Sequence, residues 1–277
     1  MNEKCYTLKK YIYNNSIFSN TIDATYIINL ENNGRLPSIM NQLLTYQPTN
    51  IVYIVFNKGY KKCKKEKFIN LPPIDLVDAF INIFKHAQLM NYNNILILED
   101  DFIFSKEILN KKHINNINNF LNKKNNKEFI YLLGCCPVFM IPYDYNNYKY
   151  IISIGTHSVI YSKKFREKIL KIDQKKISDW DDYNNKLLNR RYCYYKPLCY
   201  QLFTDTDNSK NWSVHYKILK PLEKYIIFLI KYIFKLLELD KKHEPGFSYL
   251  YIFAKYFWLI IILFFIYLFI KLTKKKI

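Results

Sequence analysis

From Thr25 onward, short and almost wholly apolar runs alternate with longer stretches whose apolar residues recur at helical spacing. The runs TYIINL (25–30), NIVYIVFN (50–57), NILILED (94–100), EFIYLLG (128–134) and IISIGTHSVIYS (151–162) predict strands. Between them, DLVDAFINIFKHAQLMN (75–91) sets Leu76, Phe80, Ile83, Phe84 and Ala87 on one helical face, starting at Asp75 after Pro72-Pro73. Strands apolar on both faces and separated by helices predict an α/β domain with its sheet covered on both sides. Ligands in such sheets bind beyond the carboxyl ends of the strands. That is where the third run ends, in the three consecutive acids Glu99-Asp100-Asp101.

The pattern changes after Pro221. In LEKYIIFLIKYIFKLLELDKKH, residues Lys224, Lys231, Lys235, Glu238 and Lys242 follow at steps of 7, 4, 3 and 4, which gathers the charges on one helical face and leaves Ile, Phe and Leu over the rest. This predicts a helix lying in a membrane interface. Pro245-Gly246 interrupts it, and from Tyr249 to Ile270 a single charge, Lys255, occurs in a run long enough to span a bilayer. Lys255 is placed to snorkel, with Tyr249, Tyr251, Tyr256 and Trp258 as an aromatic belt. The expected organisation is an N-terminal extension (1–20), a catalytic α/β domain (21–215), an amphipathic interface helix (216–246), a single transmembrane helix (247–272) and a basic tail (273–277). Two orientation signals oppose each other. Lys274-Lys275-Lys276 favour a cytosolic C-terminus, whereas an N-terminus without an uninterrupted apolar segment favours a cytosolic-facing catalytic domain.

Composition alters the weight given to charge. The 277 residues are 50% hydrophobic and carry a formal charge of +19, yet arginine occurs only at positions 35, 166, 190 and 191 while Lys and Asn abound. Such a bias is that of an AT-rich coding sequence, so the basic balance alone does not indicate nucleic acid, which is excluded as the expected partner. Residues 216–277 hold twelve lysines against four acids, so much of the charge flanks the apolar run, where anionic membrane lipid is the natural partner. Cys5, Cys63, Cys135, Cys136, Cys193 and Cys199 form no C-x-x-C pair and are expected to be reduced core residues.

Three adjacent acids at the end of a buried strand repel one another unless a cation neutralises them. Oxygen-only ligands suit Mg²⁺ or Mn²⁺, ions that bridge carboxylates to substrate phosphates. Along an extended strand Glu99 and Asp101 would share one face and Asp100 the other. The expectation is a metal-bound diphosphate held by Asp101 and Glu99. No phosphate-binding G-x-x-x-x-G-K-[ST] loop is present to suggest another phosphate-processing enzyme.

At these residues the chain resembles a known family. TYIINLENNGRLPSIMNQL is similar to the opening strand and Arg-containing turn of family 25 glycosyltransferases, related to lipooligosaccharide and collagen galactosyltransferases, and ILILEDD to their metal-binding motif. GTHSVIYSKKFREKIL resembles their Gly-Thr-His segment, and ISDWDDYNNKLLNRRYCYYKPLCYQLFTDTDNSKNW their closing block. The four motifs occur in order over residues 24–213, and an AT-rich chain of this kind is similar to glycosyltransferases of giant viruses. The resemblance implies a GT-A fold, a nucleotide-sugar donor, a glycan, glycoprotein or glycolipid acceptor, Mn²⁺ or Mg²⁺, and inversion at the transferred carbon. It implies donor-binding roles for Asn29, Arg35, Glu99, Asp100 and His157, and a catalytic base at Asp179, with Asp181 and Asp182 near enough to be confused with it. One departure is FKHAQ, where the family has Ser-His before the metal motif. Asp205, Asp207 and His215 are candidates for a further metal ligand. With the membrane run, the expected location is a single-pass membrane protein of the host endoplasmic reticulum or viral factory membranes.

Overall fold

A computed structural model of the chain describes residues 4–187, 190–201 and 221–274. Its strands are β1 (Tyr6–Ile12), β2 (Ala24–Leu30), β3 (Ile51–Asn57), β4 (Asn94–Glu99), β5 (Phe102–Phe104), β6 (Ile130–Pro142), β7 (Asn147–Ser162), β8 (Arg191–Tyr194) and β9 (Cys199–Gln201). Seven form one sheet in the order β1-β3-β2-β4-β7-β6-β8, and β5 pairs with β9 in a small separate sheet. The centre, β3-β2-β4, is parallel; β1 joins β3, and β7 joins β4 and β6, antiparallel. The sheet is therefore mixed, with its parallel part at the centre.

Alternation along each strand divides the core into two layers. Ile95 and Ile97 of β4 pack with Phe80 and Phe84 of helix α2 (Pro72–Leu89), whereas Leu96 and Leu98 pack with Ile39 and Leu43 of α1 (Leu36–Tyr46) and Ile117 of α3 (Lys111–Lys123). Two short helices, α4 (Lys163–Ile169) and α5 (Trp180–Asn185), complete the α2 layer. Trp180 fastens α5 there: its ring stacks on Phe80 at 4.7 Å and its Nε1 donates to the Tyr161 hydroxyl at 2.7 Å. Arg166 donates from inside the same layer to the carbonyls of Asn93 and Tyr161, at 3.0 and 2.8 Å.

The segment expected to be an extension carries β1, which closes the β3 edge. Its pattern is half polar because each face is covered over only part of the strand, Tyr6 and Leu8 against the α2 layer and Tyr11 against the α1–α3 layer, which hid it among the surrounding lysines and asparagines. The cysteine expectation is corrected here as well. Cys5, just before β1, forms a disulfide with Cys63, while Cys135, Cys136, Cys193 and Cys199 are free and buried. The pairing joins residues 58 apart, a separation at which sequence alone gives no pairing rule. Buried Lys65 holds the same loop onto α2, with its Nζ 2.7 Å from Asp75 and 3.1 Å from Asp78.

After residue 221 two further helices follow, α6 (Glu223–Leu236) and α7 (Gly246–Lys274). Phe234, Leu239 and Phe247 pack with Cys136 and Tyr200, against Ile103 and Ile154, so these helices cover the β5–β9 sheet. Tyr200 also donates to Glu244 at 2.7 Å. The stretch Gly246–Tyr267 is long and apolar enough to cross a membrane, with a mean hydropathy of 2.1, but its first turns are docked: Phe247, Tyr251 and Ala254 are buried. Lys255 lies over the rings of Tyr148 and Tyr195, at 5.4 and 5.3 Å, and not at the outer end of the helix.

Candidate active site

The carboxyl ends of β2 and β4 lie side by side, and the turns that follow them meet. After β2, Asn32 turns the chain with a φ of 64°, and the Arg35 backbone N–H donates to the Asn33 side chain at 3.0 Å. This aims Arg35 across at the acids. Its Nη1 bonds Asp100 Oδ1 and lies 3.0 Å from Asp101 Oδ2. Asp100 Oδ2 also accepts from the Asn33 amide and from the Leu30 N–H at 3.2 Å.

The alternation expected for the three acids stops short, because β4 ends at Glu99 and a turn occupies positions 100 and 101 before β5. Asp100 and Asp101 are thereby brought onto one guanidinium, so Asp100, expected on the opposite face, shares a partner with Asp101. Burial pushes the Asp100 carboxyl up, Arg35 opposes this, and the neighbouring Asp101 adds to it. Burial pulls on the Arg35 guanidinium in the other direction, but Asp101 and Asp100 outweigh it and hold its pKa above the ordinary value.

Asp101 connects this cluster to a second one. Its Oδ2 accepts from Gln201 Nε2 at 2.9 Å, and its Oδ1 is buried with no hydrogen-bond partner. Gln201 ends β9, which runs past Gly134 so closely that a β-carbon there would lie 1.7 Å from the Cys199 carbonyl oxygen. His157 is fully buried beside them, with Nε2 3.3 Å from the Cys199 carbonyl. Burial lowers its pKa to about 4, against smaller upward effects from Cys199 and Gln201, so the ring is neutral at physiological pH. Gly155, at φ +85°, brings its backbone over the His157 ring, and its N–H donates to Asp181 Oδ2 at 2.8 Å.

The three candidate bases differ in their surroundings. Asp179 caps α5, accepting from the Asp182 N–H at 2.8 Å, and buried Asp182 pairs with Lys186 at 2.6 Å. Asp181 is the one that reaches the Gly155–His157 segment. Asn29, near the end of β2, is buried with its Oδ1 unbonded, and Glu99 ends β4 half-buried opposite Ile28. Asp205, Asp207 and His215 lie outside the described residues. Asn33 and Gln201, which position the two aspartates, are additions to the expected set. Asn33 sits in an Asn-Asn-Gly turn that could have flagged it, whereas nothing local marks Gln201.

The donor set suits a hard cation only in part. Among the described residues no group of three or more His, Cys, Asp or Glu side chains is placed to hold a metal ion. The bare Oδ1 of Asp101 is nonetheless an oxygen able to ligate one, and Mg²⁺ typically takes only one or two protein carboxylates with substrate phosphates and water.

No protein-family model matches the chain, and no curated protein matches it. Among solved structures it is similar to A197 from STIV, at 12% identity over 67% of this chain and 87% of that one, with a TM-score of 0.42. It is also similar to mannose-1-phosphate geranyltransferase from Thermus thermophilus (8% identity, 63% and 73%, TM-score 0.37). A third is a glycosyltransferase involved in the glycosylation of the major capsid of PBCV-1 (8%, 68% and 96%, TM-score 0.38). At that level of similarity none of them assigns a role to a residue of this chain.

Proposed function

We propose that the protein is a membrane-associated, family 25-like glycosyltransferase of GT-A fold that moves a sugar from a nucleotide-diphosphate donor, a UDP-sugar, to a hydroxyl of a glycan, glycoprotein or glycolipid. The observation that carries this reading is the Arg35–Asp100–Asp101 cluster at the carboxyl ends of β2 and β4. Its residues belong to the first two motifs of the resemblance, and Gln201 links them to the Gly155–His157 segment of the third. Arg35 has the planar fork suited to diphosphate oxygens. Asp101, with Glu99, would hold Mn²⁺ or Mg²⁺, which supplies neutralising charge to the departing diphosphate. Asn29 and His157 line the donor side. Among the three candidate bases Asp181 is favoured, because its carboxylate is the one that reaches the Gly155–His157 segment, accepting from the Gly155 N–H.

The test is hydrolysis and transfer with a panel of nucleotide sugars, with and without Mn²⁺, using the full chain in detergent. Asp101→Ala is expected to abolish Mn²⁺-dependent UDP-sugar hydrolysis, and a fully active variant would overturn the metal assignment. Asp181→Asn should retain donor binding and stop transfer; if Asp179→Asn does so instead, the base is Asp179. One observation favours a second reading, a non-catalytic membrane-bound scaffold: Arg35 already compensates both aspartates without an ion. That reading requires that no nucleotide sugar binds under either condition.

A further inference from the structure

Two features outside the active site bear on which side of a membrane the domain occupies. The first is the Cys5–Cys63 disulfide, which ties the segment before β1 to the loop after β3 with the Cα atoms 5.6 Å apart. Disulfides form and persist in oxidising compartments and are rare where thiol buffers keep cysteines reduced. The second lies between β1 and β2. Asn14-Asn15-Ser16 is an Asn-x-Ser triplet, the acceptor pattern for N-linked glycans on the surface loops of exported domains. Asn14 is exposed at a bend, and the chain on either side is fixed to the body, Tyr13 N–H to the Asn50 carbonyl at 2.9 Å and Ile17 N–H to the Gln47 carbonyl at 3.1 Å. Ser16 is half-buried and donates to Asn50 Oδ1 at 2.8 Å, so the exposed asparagine of the triplet stands on an anchored loop.

We propose that Asn14 is an N-glycan acceptor and that the disulfide-closed domain faces an oxidising lumen, opposite to the cytosolic side expected from the N-terminal sequence. The co-substrate is an oligosaccharide linked to a lipid diphosphate. A bond forms between Asn14 Nδ2 and C1 of the first sugar, the bond from C1 to the diphosphate oxygen breaks, the amide nitrogen gives up a proton, and the lipid diphosphate leaves. This inference stands apart from the glycosyltransferase reading, since it assigns the chain as an acceptor and not as the transferring enzyme.

The test is electrophoresis of the full chain expressed in eukaryotic membranes, with and without peptide-N-glycosidase. A glycosidase-sensitive step in mobility is expected, lost in Asn14→Gln and retained in Asn211→Gln, the variant of the other such triplet. A wild-type chain with no such step, or a step unchanged by Asn14→Gln, overturns the assignment. Maleimide labelling of the denatured chain reads the compartment without depending on Asn14. Two more thiols should react after reduction than before, and equal labelling in both states overturns the luminal placement.

Discussion

Arg35 is one of four arginines in a chain that uses lysine almost everywhere else a positive charge is needed. Arg166 reaches several backbone carbonyls from a buried position and Arg191 lies over the Tyr150 ring at 5.0 Å, work that a lysine point charge would do poorly, whereas Arg190 pairs with Glu128, as Lys168 does, and Arg35 meets two aspartates through Nη1. Removing the guanidinium leaves two largely buried carboxylates facing each other. Because Arg35 is itself 30% exposed, solvent screening reduces the loss below that of a fully buried pair, and Arg35→Ala is expected to cost about 1–2 kcal/mol in a urea titration. Arg35→Lys should recover part of that stability but not donor affinity. His157 predicts a pH dependence. Its folded pKa, about 4, lies below the ordinary 6.5, so the unfolded chain binds the extra proton first as pH falls. Stability should be complete above pH 6.5 and decline toward pH 4 by about 3 kcal/mol, at ~1.4 kcal/mol per unit. His86 and His113 are also held low by burial, so a shallower slope of the same sign should remain in His157→Gln.

At the scale of elements, the site depends on how closely β9 passes β6. A methyl group at position 134 would stand 1.7 Å from the Cys199 carbonyl oxygen, a backbone atom that cannot turn aside. Gly134→Ala should therefore displace β9, part Gln201 from Asp101, and lower donor binding even at temperatures where circular dichroism shows the sheet intact. Asp179→Ala, by contrast, should cost about 1 kcal/mol of stability through loss of the α5 cap, with donor binding preserved. The sequence made β2, β3 and β4 legible to within a residue or so, because buried parallel strands are uniformly apolar and nothing competes with that pattern. It was less informative where register shifts intervene. Of β6 only the first residues read as a strand, since Gly134 and Pro137 look like terminators, yet the strand continues to Pro142 through irregular pairings with β7. The acids could be located from local pattern, but their division of labour could not. Period-2 reasoning fails once β4 gives way to a turn, and the partner that orients Asp101 comes from residue 201, a hundred positions away.

For the whole molecule, the decisive feature is that α7 belongs to both the domain and the apolar run. Phe247, Tyr251 and Ala254 face the body, while Leu259, Ile260 and Leu263 to Tyr267 are exposed, a transition that a core helix would not show. Residues 258–274 rise about 25 Å as a helix, somewhat short of the ~30 Å hydrocarbon core of a bilayer. If α7 spans, the domain must then sit flush against the membrane, with the docked turns at the interface. The exposed face of α6 fits that position: Tyr225, Leu229, Tyr232 and Leu236 form an apolar stripe at steps of 4, 3 and 4, with exposed Lys224, Lys231 and Lys235 beside it. Because α6 and α7 also cover Tyr200 and the β5–β9 sheet, they are part of what holds Gln201 in place. Two truncations should consequently behave differently. Removal of residues 258–277 takes away a segment whose described side chains are mostly exposed, so the remaining domain should melt cooperatively near the full-length temperature and bind donor. Removal of residues 221–277 strips Phe234, Leu239 and Phe247 from Cys136 and Tyr200, exposes apolar surface beside the site, and should lower the melting temperature and abolish donor binding together. Equal melting temperatures and donor affinities for the two truncated chains would show that the C-terminal helices only anchor the domain and contribute nothing to the site.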